Sequence, residues 1–328
     1  MNEKYRELLE QYDVRILSTF RSRGTFQCET DQGLALLKEY HHSLHRLALE
    51  YEWKEKLAEA GFTLTDRYFL SREDSLVVYD RYHTPFVLKH YFSGRECDLT
   101  SREDVRTACA NLARLHSVSS RVPEPPFAEA AAKPVGQIFS RRNHALKNIR
   151  KFISRVNHKK DFELLYMQYF PLYYAEAERA LTALQEQFPE GVRTATGVCH
   201  GAYHQHNILM LPDGSAATIG FESICFQPFL MDLYLFLRKT MEKNHYDFRF
   251  FEDGISGYGR YMSLGGEDLC FLYYLFLYPE KFWKISNQYY NRRKSWQSPK
   301  MCEKLERIAA QNKERLHFLE QFSRYLLK

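Results

Sequence analysis

Up to Phe92 the chain reads as three strand-length segments, one long helix and two more strands, and almost everything beyond reads as helix. That segregation constrains the chain more than any other feature. Strands confined to one end and helices to the rest give an α+β protein, not an alternating α/β sheet. Val14–Phe20, "VRILSTF", and Gly24–Thr30, "GTFQCET", are strand-like, with Asp31-Gln32-Gly33 as a turn into a third strand, "LALLKEY". "HSLHRLALEYEWKEKLAEAG" follows as a helix closed by Gly61, and "SLVVYD" with "PFVLKHYF" forms a second hairpin.

These patterns place a β-rich lobe with one helix at residues 1–92 and a mainly helical lobe at residues 93–328. "SGREC" reads as the crossing segment, and Thr100 with Glu103 as a capping box opening the next helix. "VPEPPFAEAAAKPVG" is a Pro- and Ala-rich connection, followed by helices at residues 140–157 and 161–187. At 45% hydrophobic and 27% charged the composition is that of a soluble globular chain. No apolar run approaches the roughly 20 residues of a membrane helix, and "MNEKYRELLEQYDV" lacks the apolar stretch of a secretion signal. Seven Cys without C-x-x-C spacing read as reduced thiols of a cytoplasmic protein. The net charge of +5 is mild, and part of it sits in Arg141–Lys160, where Leu146, Ile149, Ile153 and Val156 form an apolar stripe. The cationic side of that helix reads as a solvated face; without stacking aromatics or a recognition motif it does not assign nucleic acid.

The chemistry is concentrated in "CHGAYHQHNIL", Cys199–Leu209. Protein kinases carry H-R-D-x-x-x-x-N, the Asp as base and the Asn on a metal. His200 and Asn207 stand in that register here, but Ala202 fills the place of the acid. A hairpin follows, and the position of the metal-binding D-F-G reads Gly220-Phe221-Glu222. A base contributes on the order of 10²–10⁴ in rate, and hard cations want carboxylate oxygen. Asn207 and Glu222 are therefore weak metal candidates, with His204 and Glu222 as substitutes for the missing acid. Cys199, His200, His204 and His206 compose a competing transition-metal set, without a second ligand cluster. Asp232, alone within the apolar "PFLMDLYLFLRK", needs donors to persist there and reads with His200 as the brace of the loop backbone.

A kinase also needs a third-strand Lys with a Glu partner. Lys38 shares a strand face with Leu34 and Leu36 and requires a counter-charge. The following helix offers Glu50, or failing that Glu55. Gly24 in "RSRGTF" is all that remains of a glycine-rich phosphate loop.

Taken together, "GTFQCETDQGLALLKEY", "VLKHYFSGRECD", "LARLH", "CHGAYHQHNIL", "MDLYLFLRK" and "YPEKFWKISNQYYNRRKSW" resemble the CotS-like spore coat proteins, a branch of the aminoglycoside phosphotransferase and choline kinase fold. The resemblance implies a two-lobed protein kinase-like fold, production in the mother cell during sporulation, and residence in the spore coat among other coat proteins. It implies a site for ATP, with or without magnesium, in which Lys38 meets phosphates, Glu50 pairs with it, Leu88 to Tyr91 form the hinge, and Asn207 survives on the metal side. Ala202 and Gly220 depart from the pattern and point to a catalytically impaired coat component. The alternative is an active ATP-dependent phosphotransferase on a small hydroxyl- or amine-bearing substrate. Tyr residues such as Tyr289 and Tyr290 are expected at the surface for coat contacts.

Overall fold

The structure is a computed structural model that describes residues 3–22, 25–123, 133–291 and 299–327. Gly24 and most of the Pro- and Ala-rich connection lie outside the described residues. Two compact units can be distinguished: residues 1–131, 196–236 and 253–263 form one, and residues 132–195, 237–252 and 264–328 the other.

The first unit opens with helix α1 (Glu3–Leu9), which the charged N-terminal sequence did not reveal. Strands β1 (Ile16–Ser22), β2 (Thr25–Thr30), β3 (Gly33–Glu39), β4 (Val78–Tyr79) and β5 (Pro85–His90) make an antiparallel sheet in the order β1-β2-β3-β5-β4. Alternation divides its residues by face. Ala35, Leu37 and Leu88 join Phe26, Cys28 and the α1 residues Leu8 and Leu9 in one core. Register pairs Lys38 with Val87 and Leu36 with Lys89, so both lysines stand on the opposite face.

That face receives α2 (Leu44–Glu59), whose Ser43 cap accepts from the Arg46 N–H at 3.2 Å. Gly61 beyond its end takes φ 93°, a left-handed conformation that suits glycine. The buried stripe of α2 is Leu47, Glu50, Trp53, Lys54 and Leu57, so two charged residues stand where an amphipathic helix usually puts apolar ones.

The short strand β6 (Arg95–Glu96) pairs with β8 (Ile208–Met210), itself in a hairpin with β9 (Ala216–Thr218). Helix α3 (Arg102–Ser119) is capped one residue later than its sequence suggested. Ser101 takes the Asp104 N–H at 3.2 Å, while the Thr100 hydroxyl bonds Asp98 at 2.7 Å. Strands β7 (Thr196–Cys199) and β10 (Cys225–Pro228) pair around the catalytic-loop sequence, and α6 (Leu230–Lys243) follows.

The second unit is helical. Helices α4 (Val135–Ser154), α5 (Asp161–Gln187), α9 (Glu280–Asn291) and α10 (Pro299–Ala310) share a core of Leu146, Ile153, Phe162, Tyr166, Phe282, Ile285 and Tyr289. Tyr289 is therefore not a surface residue: it is 4% exposed and stacks on Phe162 with ring centroids 3.7 Å apart. It lies two turns beyond Phe282, on the apolar stripe. Tyr290 is half-buried and packs against the same core.

Candidate functional site

The sheet and α2 bring three ammonium groups and three carboxylates together inside the first unit. Glu222 Oε1 accepts from Lys38 Nζ at 2.7 Å and from Lys89 Nζ at 3.2 Å. Glu50 Oε1 accepts from Lys54 at 2.9 Å and Lys89 at 3.0 Å. Asp66 completes the set, taking Lys54 at 3.1 Å, Lys89 at 3.2 Å and the Gly220 N–H at 3.1 Å. Both inner lysines also stand over the Tyr68 ring, Lys54 at 3.9 Å and Lys89 at 4.6 Å from its centre.

Glu50, Lys54 and Lys89 are almost wholly excluded from water, so each charge persists only because the others are present. Burial opposes ionisation of Glu222, yet the Lys89 and Lys38 charges hold its carboxyl well below the usual glutamate range. Burial acts the same way on Asp66 and is again overcome, by Lys54 and Lys89. For Lys89 the three carboxylates outweigh burial and push its pKa well above the ordinary value. For Lys54 burial wins and the pKa falls.

The catalytic-loop backbone is fastened from behind. Both oxygens of Asp232 are used: Oδ2 takes the His200 N–H at 2.7 Å and Oδ1 the Gly201 N–H at 3.0 Å. Bonds of this kind to a charged acceptor are worth about 1.5–3 kcal/mol each. His200 Nδ1 accepts from the Ala202 N–H at 3.2 Å, which leaves Nε2–H to donate to the Ile219 carbonyl at 3.0 Å. Gly201 takes φ 74°, and a Cβ there would lie 2.0 Å from the Ser223 carbonyl oxygen, so the loop can only run this way with glycine. Ala202 offers a methyl group and a carbonyl; that carbonyl accepts from the Asn207 amide at 3.0 Å. Gly220 is also left-handed, at φ 78°, and a Cβ would sit 2.9 Å from Asn207 Oδ1. No carboxylate can return to that position without moving Asn207 or the backbone.

The remaining sequence candidates are distributed as follows. Glu50 turns to Lys54 and Lys89, and the carboxylate on Lys38 is that of Glu222. Glu55 pairs with Arg67. Leu88 is fully buried in the core on the other face of the sheet, and the Tyr91 N–H donates to the Leu34 carbonyl at 2.7 Å. His204 lies 3.5 Å from the Asn207 amide, and His206 bonds Glu96 at 2.7 Å. Cys199 stands apart from both histidines, buried beside His116 and Asp232. Among the described residues that trio is the grouping with metal-like spacing. Its Asp232 oxygens hold the loop, and His116 Nδ1 is 2.8 Å from the Tyr258 hydroxyl. It is a structural knot.

Sequence reasoning missed Lys54, Asp66 and Lys89. Two of them left a signal: Glu50 and Lys54 are four apart on the apolar stripe of a helix, and Lys89 interrupts a strand that is otherwise buried side to side.

With this geometry in hand, comparisons place the chain among known proteins. The model of the family described as "Spore coat putative kinase YutH" matches residues 5–322. No curated protein matches the chain by sequence. Among solved structures, an aminoglycoside phosphotransferase from Alicyclobacillus acidocaldarius superposes with a TM-score of 0.83 at 17% identity, over 98% of this chain and 96% of that one. A microcompartment-associated aminopropanol kinase gives 0.63 at 16% identity, over 97% of each chain. Spectinomycin phosphotransferase, solved with ADP and spectinomycin, gives 0.62 at 11% identity, over 95% of this chain and 96% of that one. The fold is thus the protein kinase-like one of these phosphotransferases.

Proposed function

The chain belongs to the spore coat kinase family YutH, and from that premise we propose that it is a catalytically impaired kinase-fold component of the coat. It is made in the mother cell and assembles there with other coat proteins. One observation carries the reading: the carboxylate of Glu222 sits on Lys38, where a kinase would receive nucleotide phosphate, while Ala202 and Gly220 supply neither base nor metal ligand.

The electrostatics favour this. Glu222 gives Lys38 a counter-charge that phosphate would otherwise provide, and Lys89 holds the same carboxylate in place from behind. The donor set does not suit magnesium either. Asn207 brings one amide oxygen, and the carboxylates of Glu222 and Asp66 are engaged by lysines. No described helix is long and apolar enough to cross a membrane.

Nucleotide binding is the testable element. Calorimetric titration of ATP, with and without magnesium, should show weak binding by the wild type. Glu222→Gln should bind at least about tenfold more tightly, since a neutral amide no longer competes for Lys38. Turnover of ATP by the wild type, abolished by both Lys38→Ala and Glu222→Ala, would overturn the proposal. It would establish instead an active phosphotransferase using Glu222 or His204.

A further inference from the structure

We propose that the second unit carries a binding site for a phosphate-type dianion, built from Arg142, Arg238, Lys239, Lys281 and Lys284 on three packed helices. Helix α4 supplies Arg142, α6 supplies Arg238 and Lys239, and α9 supplies Lys281 and Lys284. Among the described residues two carboxylates answer this group, and each is already divided between two cations. Glu242 takes Arg238 at 2.5 Å and also Lys281; Glu280 takes Lys284 at 3.1 Å and also Arg142. Lys239 has no ion pair among the described residues, although it is half-buried.

Like charges so gathered repel, and an ammonium half out of water is costly without a counter-ion. Crowding acts on the ammonium groups themselves. Burial and the neighbouring Arg238 and Lys284 charges push Lys239 below the ordinary lysine range. Burial lowers Lys284 too, against the pull of Glu280. Two cations would match the charge of Glu242 and Glu280, and five are gathered here.

The geometry favours a tetrahedral oxyanion. The Arg142 guanidinium stands over the Trp283 ring, 4.1 Å from its centre, and bonds Glu280 through Nη1. A planar fork with several ammonium point charges is the donor set that recognises phosphate. The indole Nε1–H of Trp283 is buried without an acceptor, so a further N–H donor stands beside the cations. The ligand is a small phosphate species, either inorganic phosphate or a phosphate ester.

This site shares no residue with the Lys38 cluster, and the test separates the two. Inorganic phosphate and glycerol 3-phosphate are titrated calorimetrically at constant ionic strength into the wild type, Lys38→Met and Lys239→Met/Lys284→Met. The expected result is saturable binding by the wild type and by Lys38→Met, weakened at least about tenfold in the double variant. Tighter binding of glycerol 3-phosphate identifies an ester as the ligand; equal or weaker binding identifies free phosphate. In phosphate-free buffer Lys239→Met alone should raise Tm by about 2 °C, because it removes a repelled charge. Absence of saturable binding in the wild type, equal binding by the double variant, or loss of binding in Lys38→Met would each overturn the proposal. So would a fall in Tm for Lys239→Met. If the double variant does not fold, Lys281→Gln carries the same reading: weaker phosphate binding supports the site, and unchanged binding overturns it.

Discussion

In the first unit Lys38, Lys54 and Lys89 meet Glu50, Asp66 and Glu222, one carboxylate for every ammonium group. In the second unit Arg142, Arg238, Lys281 and Lys284 share Glu242 and Glu280, and Lys239 stands beside them with no ion pair among the described residues. The first group is buried apart from the rim at Lys38, whereas Lys281 and Lys284 of the second keep about half of their side chains in solvent. The difference lies in what completes the charge. The first cluster is closed by its own side chains, which explains how a kinase-like site can hold its shape with no nucleotide phosphate to neutralise Lys38. The second gathers five cations around two carboxylates. In a fold known for phosphotransferases the informative feature is thus not where the cations are, but how many carboxylates answer them.

The largest effect should come from removing one anion of the closed cluster. Glu50 has no exposure, and its Oε1 serves both Lys54 and Lys89. Glu50→Gln leaves two buried ammonium groups short of charge, and breaking a buried pair from one side costs about 3–5 kcal/mol. Urea unfolding should show the midpoint falling with the slope unchanged. A loss below about 1 kcal/mol would mean that water or rearrangement satisfies the lysines, and the contrast between the units would disappear.

Acid should dismantle the same cluster. Glu222 and Asp66 are held below the ordinary carboxylate range in the folded protein. The unfolded chain therefore binds protons first, and the stability these groups confer is complete above about pH 5 and drains away as pH falls through their folded pKa values. Asp104 and Asp253, also lowered by arginine partners, add to the slope. The Glu222 share can be isolated by comparison with Glu222→Gln. The variant should be less stable than the wild type at pH 7, and the gap should narrow steadily towards pH 2. A gap independent of pH would show that Glu222 acts through packing and not through charge.

How much of this could be read from the residues depends on distance along the chain. Local rules carried the sheet strands, α2 with its closing Gly61 and the 208–218 hairpin, because periodicity and turn chemistry act over a few residues. Asp232 announced itself as the one acid of the apolar stretch "PFLMDLYLFLRK", and its oxygens take the His200 and Gly201 N–H groups. The partner of Lys38 was not legible in this way. Glu222 lies 184 residues away, and before folding it is one acid among many. Asp66 sits in a connecting segment with no periodic context. Lys54 left only its place four residues after Glu50 on the stripe of α2, and Lys89 only its place in a buried strand; neither named its partners. Buried charges that cancel one another leave little trace in a hydrophobicity pattern, and the second cluster is spread over α4, α6 and α9, so no local rule gathers it.

The smallest effect bears on whether the closed cluster can open. Lys38 is the outermost of the three lysines, its side chain 32% exposed, and Glu222 keeps its Lys89 contact when Lys38 is removed. Lys38→Met should therefore cost no more than about 1 kcal/mol, the range of a partly solvated pair. A double-mutant cycle with Glu222→Gln should give a coupling of similar size. Coupling that small would leave the pair within reach of displacement by a phosphate group, whose charge exceeds that of a carboxylate. Glu222 would then be a replaceable occupant, and the tighter ATP binding expected of Glu222→Gln would follow from the same number. Coupling of 3 kcal/mol or more would make the pair part of the buried core, and Lys38 would be closed to nucleotide by the fold itself.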